Sequence, residues 1–358
     1  MKKRDLALRM PAEWEPHEAT WMIWPHDSKH WLYGSAADFE SVCDTFARLV
    51  DLAAAFEPIR VVVHPGDEER VRSRIGERAE LFSLPCNDAW ARDILPTFVH
   101  EVGADEPGKV VGIDWIFNGW GGKFGPWEED DRLAGRLAGL LGLGTRRSSL
   151  TAEGGALHVN GAGCFLGTKG TWFDPGRNPG WSPERLEGEL RRCLGVDRFL
   201  WLDHGFEGDD TGGHVDVIAA FAGPERILHA AAATPSDPND RSFRENVAAL
   251  RRALESGQPS IDVIEVPTPE PVRRDGIRLP YSYLNFSFLN DAVLLPAFGV
   301  PLDRWVRDQF RELFPDREIV SVEARPLYLG GGGIHCVTQQ QPRAEGKLTC
   351  ATHAPPPQ

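Results

Sequence analysis

Tyr328-Leu-Gly-Gly-Gly-Gly-Ile-His-Cys336-Val-Thr-Gln-Gln-Gln-Pro342 is the stretch around which the chain is organised. Four successive glycines, Gly330 to Gly333, favour neither a helix nor a packed strand. They remove every Cβ beside the backbone and permit positive φ, so another group can come close. The run delivers the chain to His335-Cys336. A thiol placed after such a loop has room around it and backbone N–H groups nearby, conditions that stabilise a thiolate and admit a substrate. A buried structural cysteine beside a tight turn is the alternative.

Working outward, three other stretches hold residues able to do chemistry: Asn87-Asp88-Ala-Trp90-Ala-Arg92-Asp93, Glu153-Gly154-Gly155, and Asp209-Asp210-Thr-Gly-Gly-His214-Val-Asp216. Asp93, Glu153, His214 and Cys336 follow one another at intervals of 60, 61 and 122 residues, the last being twice 61. Such spacing is the trace of a repeated supersecondary unit. One unit then lacks a marker, and Tyr283-Leu-Asn285-Phe286 lies within it. Five units arranged about an axis would bring all the markers to one central site. Individually each residue has a plainer reading: an Arg92–Asp93 ion pair, a turn at Glu153, a satisfied polar His214, a cap at Asp209-Asp210. Their shared period argues against those readings jointly.

The elements between the markers alternate. A strand ends at Pro25, and Ser35 caps a helix from Ala36 to Ala55 with Phe39, Val42, Phe46, Leu49 and Val50 at helical spacing. Strand signals cover 59–64, 80–84, 109–117, 198–202, 215–221, 226–230, 261–266, 283–288, 292–296 and 318–323, with a hairpin around Asn160-Gly161. Helix signals cover 68–75, 129–143, 182–193 and 242–254; a last one carries Leu302, Trp305, Val306, Phe310 and Leu313 on one face. Short hairpins joined to helical crossovers fit ββαβ-like units better than a doubly wound sheet. No linker interrupts residues 1–342, which are read as a single domain. Residues 343–358 are polar, end in prolines and read as a disordered tail.

Composition bounds the function. The 358 residues are 41% hydrophobic and 26% charged, as in soluble globular proteins. No apolar run approaches the roughly 18 residues of a membrane span, and Met1-Lys-Lys-Arg is followed by no apolar core of a secretory signal. Six cysteines without paired spacing suggest a reduced, cytoplasmic protein. A zinc site from His214, Asp216 and Cys336 would lack the usual short ligand spacings. A net charge of −14 argues against a phosphate backbone as partner. It is compatible with steering a small cation, or simply with an acidic soluble protein.

These motifs together resemble the agmatine deiminases of the guanidine-modifying (pentein) superfamily. The resemblance covers nearly the whole chain: Met10-Pro-Ala-Glu, Trp24-Pro25, the Asn87–Asp93 stretch, Glu153-Gly-Gly, Arg177-Asn-Pro179, His214-Val-Asp216 and the Cys336 stretch, in order. It implies a five-bladed pseudo-symmetric α/β propeller of ββαβ-like units and no cofactor or metal. It also implies hydrolysis of a guanidino group to a ureido group and ammonia, with Asp93, Glu153, His214, Asp216 and Cys336 as the functional residues. The partner expected is a small cationic guanidine such as agmatine, with no nucleic acid and no membrane; a homo-oligomer is compatible with this. His214 and Asp216, two apart, would share one face of a strand. Trp90 and Asp210 are the candidates for holding the substrate's tail, and Gly331, Gly332 and Gly333 for close approach. Peptidyl-arginine deimination and transfer of the amidino group are the rivals within the class, and a non-catalytic guanidine-binding protein is the rival outside it. Where the family usually carries a small polar residue and glycine, this chain has Ile94-Leu95; where it usually carries Asn before Ile-His-Cys, this chain has Gly333; and Val217 stands at a commonly polar position. The first two departures are expected to reshape the pocket.

Overall fold

The computed structural model describes residues 7–27, 35–103, 108–255 and 260–344. Most of the expected 343–358 tail lies outside them, although the Arg343 N–H donates to Pro16 O at 2.8 Å.

Local sequence rules account for most elements. Ser35 accepts from the Asp38 N–H while Asp38 accepts from the Ser35 N–H, closing a capping box on the helix Ala36–Ala53. That helix buries Phe39, Val42, Phe46, Leu49 and Val50 along one stripe. Pro183–Leu194 is capped by Ser182, opens with proline and ends on Gly195 at φ 68°.

Five sheets repeat one arrangement: an antiparallel strand pair, a helix, then a strand returning parallel. Thr97–Val102 pairs with Lys109–Ile116, and Glu128–Leu140 leads to Gly144–Thr151. His158–Val159 pairs with Cys164–Thr168, and Pro183–Leu194 leads to Arg198–Leu202. Ala219–Phe221 pairs with Arg226–Ala231, and Asp240–Leu254 leads to Asp262–Pro267. Ser287–Phe288 pairs with Ala292–Ala297, and Leu302–Leu313 leads to Glu318–Glu323. The fifth sheet joins an early strand with a late one. Gln339–Pro342 pairs with His17–Ile23, and Ala36–Ala53 leads to Ile59–Val63. A separate hairpin, Val272–Arg274 with Ile277–Leu279, stands outside this pattern. No helix among the described residues is long and apolar enough to cross a membrane.

Three expectations differ from the structure. Val215–Val217 is a 3-10 turn, and only Ala219–Phe221 is strand. The neighbouring backbone finds partners outside any ladder: Asp209 accepts from the Gly213 and His214 N–H groups, and Asp216 O accepts from Asn285. His214 and Asp216 therefore do not share a strand face. Of 283–288 only Ser287–Phe288 pairs, because Ser282 turns the chain by accepting from the Leu284 N–H. Trp305 is 49% exposed, since Leu302–Leu313 buries Val306 and Phe310 and a residue one step away points about 100° round.

Phe310 is fully buried against Phe286 and Phe314. Phe310→Ala should cost about 3–5 kcal/mol of unfolding free energy, and Trp305→Ala no more than about 0.5 kcal/mol, as read by urea denaturation. Equal costs would contradict the placement of this helix.

Candidate functional site

Each of the five sheets is preceded by a polar turn, and the turns converge. Asp93 lies on the single helical turn Ala91–Ile94, ahead of Thr97–Val102. The loop before it is pinned by the buried Asp130, which accepts from the Asn87 and Asp88 N–H groups. Glu153 precedes the 3-10 turn Gly154–Ala156, and His214 precedes Val215–Val217, which contains Asp216. Cys336 precedes Gln339–Pro342, and its carbonyl accepts from the Arg92 N–H at 3.1 Å.

The side chains are in mutual contact and nearly all buried. His214 Nε2 lies 3.3 Å from Glu153 Oε2, and Nδ1 lies 3.9 Å from Asp93 Oδ2. Asp93 accepts from Trp120 Nε1 and from the Gly155 N–H, both at 2.9 Å. Asp216 Oδ2 accepts from His335 Nδ1 at 2.8 Å and lies 3.4 Å from Cys336 Sγ. Asp216 Oδ1, buried, has no hydrogen-bond partner among the described residues. Gly155 is the floor on which these groups meet. A Cβ there would lie 2.6 Å from His214 Nδ1, 2.9 Å from Asp93 Oδ1 and 3.0 Å from Asp216 Oδ2.

Burial opposes every charge here, and the neighbours decide which survive. Burial works against the His214 imidazolium, but Asp93 and Glu153 outweigh it and raise its pKa to about 9. Burial likewise opposes ionisation of Glu153, yet Arg177 and then His214 hold it below the usual carboxylate range. Arg177 Nε lies 2.9 and 3.0 Å from the two Glu153 oxygens. Asp216 is also lowered against its burial, chiefly by His335. Asp93 differs: burial raises it, and His214 does not cancel this against Asp216 and Glu153. Burial, then Asp216 and Asp93, push the Cys336 thiol well above its ordinary value.

Arg92 does not pair with Asp93. Its guanidinium reaches Glu13 Oε1 at 3.4 Å. Glu13 also accepts from His335 Nε2 at 2.9 Å and lies 3.6 Å from His158 Nε2. Glu13, His158 and His335 could group around a metal by distance. The Arg92 cation and a His335 whose pKa is raised by Glu13 and Asp216, against its burial and Arg92, already balance the carboxylate.

A cavity of about 240 Å³ opens onto Asp93 and Cys336. Trp90, Trp120 and Phe124 contribute aromatic walls, and Asp27, Asp88 and Asp210 add carboxylates to its lining. The neighbours Asp209 and Asp210 divide their work. Asp209 organises the turn by accepting from Thr211, Gly213 and His214, whereas Asp210 lines the cavity. The three glycines also differ. A Cβ at Gly332 would lie 2.6 Å from the Trp90 ring and 3.0 Å from Cys336 Sγ. One at Gly333 would lie 2.5 Å from Asn285 Oδ1 and 2.6 Å from the Tyr328 hydroxyl oxygen. Gly331 meets nothing within 4 Å; its φ of 105° is what requires glycine. Ile94 and Leu95 pack in the core, 2% exposed, and do not line the cavity. Gly333 is the departure that touches the site.

Arg177, His335, Trp120, Asn285 and Glu13 were not singled out by their residue types. Arg177, His335 and Glu13 stand in quoted motifs, and Asn285 in the unmarked unit; Trp120, flanked by glycines, carried no signal.

A protein-family profile described as Porphyromonas-type peptidyl-arginine deiminase matches residues 9–342. A Streptomyces avermitilis relative is 39% identical, over 94% of this chain and 97% of its own length. An agmatine deiminase of Stutzerimonas stutzeri is 36% identical, over 93% of this chain and 95% of its own. The solved agmatine deiminase of Enterococcus faecalis superposes with a TM-score of 0.87 at 31% identity, covering 94% of this chain and 96% of that one.

Gly155→Ala should force His214 away from Asp93 and Asp216. The imidazole pKa, about 9 here, should then fall by about one unit or more, as read by NMR titration of the ring proton. An unchanged titration would mean that the neighbours give way around the methyl group.

Proposed function

The chain belongs to the Porphyromonas-type peptidyl-arginine deiminase family, and from that membership and the site we propose that it is an agmatine deiminase, hydrolysing the guanidino group to N-carbamoylputrescine and ammonia. The observation that carries the reading is a thiol and a carboxylate, Cys336 and Asp93, lining one small cavity, with the Asp216 carboxylate 3.4 Å from the sulfur and the His214 imidazole 3.9 Å from Asp93. A planar guanidinium fits Asp93 and Asp216, each able to accept its N–H groups. Asp216 Oδ1, buried and without a hydrogen-bond partner among the described residues, supports that role.

Charge explains how the thiol ionises. Glu13, Asp93, Glu153 and Asp216 are faced by Arg92, Arg177, His214 and His335. An entering guanidinium adds one positive charge, and release of the Cys336 proton to solvent restores the balance. The cation also offsets Asp93 and Asp216, which otherwise hold the thiol up. The thiolate attacks the central carbon. His214, protonated at neutral pH by its raised pKa of about 9, gives its proton to the departing ammonia. It then activates the water that cleaves the covalent thiouronium. Glu153, itself braced by Arg177, orients the ring.

The five sheets are read as the blades of an α/β propeller within a single domain, 1–342. The shared strand order and the polar turn ahead of each sheet support that reading. Cys43, Cys86, Cys164, Cys193 and Cys336 are free thiols, which fits the reducing cytoplasm. The family description names peptidyl-arginine. A cavity of about 240 Å³ with carboxylates in its lining favours a small free cation instead. On this reading Asp210 faces the distal ammonium.

Ammonia release should be rapid from agmatine and slow from peptidyl-arginine. Cys336→Ala should keep less than about a hundredth of kcat. Turnover of peptidyl-arginine at the faster rate would replace the substrate, and an active Cys336→Ala would replace the covalent route. Asp210→Asn should lower kcat/KM for agmatine by about one to three powers of ten, while sparing a guanidine with an uncharged tail. Equal losses on both would assign Asp210 to support of the His214 loop.

A further inference from the structure

The repeat leaves one unit without a chemical residue, and the structure fills that gap. Asp93, Glu153, His214 and Cys336 each stand three to five residues ahead of the first strand of their sheet. In the remaining unit Asn285 stands two residues ahead of Ser287–Phe288. It is completely buried, and its amide is used on both sides. Oδ1 accepts from the His335 N–H at 3.0 Å and lies 3.4 Å from the Cys336 N. That fixes the orientation of the amide, so Nδ2 donates to Cys336 Sγ at 3.2 Å and to Asp216 O at 3.4 Å. Room for this arrangement comes from Gly333, where a Cβ would fall 2.5 Å from Asn285 Oδ1.

We infer that Asn285 is a further catalytic residue, whose Nδ2–H bond holds Cys336 Sγ in place and stabilises it as the thiolate. The need is plain from the surroundings. Asp216 Oδ2 lies 3.4 Å from the sulfur and repels a negative charge there. Asn285 places a neutral donor against the same atom. A carboxamide donates without adding a fixed charge that the cationic substrate would have to displace. The bond to Asp216 O also braces the Val215–Val217 turn, but the shorter Nδ2 contact is the one to sulfur, 3.2 Å against 3.4 Å, with Oδ1 at 3.5 Å from the same Sγ.

The role of Asn285 in turnover rests on the deiminase reading; its effect on the sulfur does not. The test is second-order alkylation of Cys336 by iodoacetamide across pH, located by peptide mass spectrometry, in the wild type, Asn285→Ala and Asn285→Asp. On the rising limb, where thiolate is scarce, the rate should fall about ten- to a hundredfold in Asn285→Ala, a rise of about one to two pKa units. The curves should converge once the thiol is fully ionised. Asn285→Asp keeps the volume and the acceptor for His335 but sets a carboxylate against the sulfur, and should fall further. In agmatine turnover kcat should drop by a similar factor, with KM within about threefold. Rates lowered equally at every pH, or unchanged in a variant that keeps its thermal midpoint, would overturn the inference. Should Asn285→Ala fail to fold, Asn285→Asp decides the matter by the same curve. A wild type inactive on agmatine would refute the deiminase reading while the alkylation still judged Asn285.

Discussion

Four buried carboxylates set the terms for the rest of the site. Glu13, Asp93, Glu153 and Asp216 are each no more than 6% exposed, and an uncompensated buried charge costs several kcal/mol. Glu153 is met by Arg177 and His214, Asp216 by His335, and Glu13 by His335 and Arg92. Asp93 has a more distant ionic partner, His214 at 3.9 Å, and otherwise accepts from neutral donors. It is therefore the group whose charge state a bound cation changes most. The backbone serves the same end: Gly154 and Gly155 let Arg92 and His214 close over the Glu153 turn, where side chains would collide.

One wall of the cavity is made by an unusual backbone. Trp120 has φ 57° and ψ 49°, between Gly119 and Gly121, both also at positive φ. A tryptophan in the left-handed region carries a cost of about 1–3 kcal/mol. The indole N–H on Asp93 and the ring packing against Phe117 and Phe124 hold it there. Asn118 secures the same turn by accepting from the Gly121 N–H. The site thus spends local conformational preference on aiming one donor at the carboxylate with the raised pKa.

What the sequence revealed divides along the same line. Where local rules and packing agree, as with Phe39 to Val50 or Ser182-Pro183 through Gly195, the elements were legible to within a few residues. Val215-Asp216-Val217 looked like strand because valines favour it, but long-range hydrogen bonds from Asn285 and Asp209 hold it as a turn. Period 61 showed that Asp93, Glu153, His214 and Cys336 belong together. It could not show which oxygen faces which nitrogen, since Asp216 and His335 lie 119 positions apart and Glu153 and Arg177 lie 24 apart. Asn285 was hidden for a different reason: an asparagine in a Tyr-Leu-Asn-Phe stretch carries no chemical signature until a sulfur is found beside its amide.

The pairing of Gln339–Pro342 with His17–Ile23 has a consequence for synthesis. Trp21 donates to Gln341 across 320 positions of sequence, and the nucleophile sits three residues ahead of that closing strand. During translation every other member of the site emerges before Cys336. A ribosome-bound chain therefore carries the carboxylates and the imidazole for many seconds with no thiol among them. Until the final strand docks, the edge of His17–Ile23 lies open to any extended segment that can pair with it. Activity and protection of that edge arrive in a single event, so a chain able to react is also one in which Gln339–Pro342 has already met His17–Ile23.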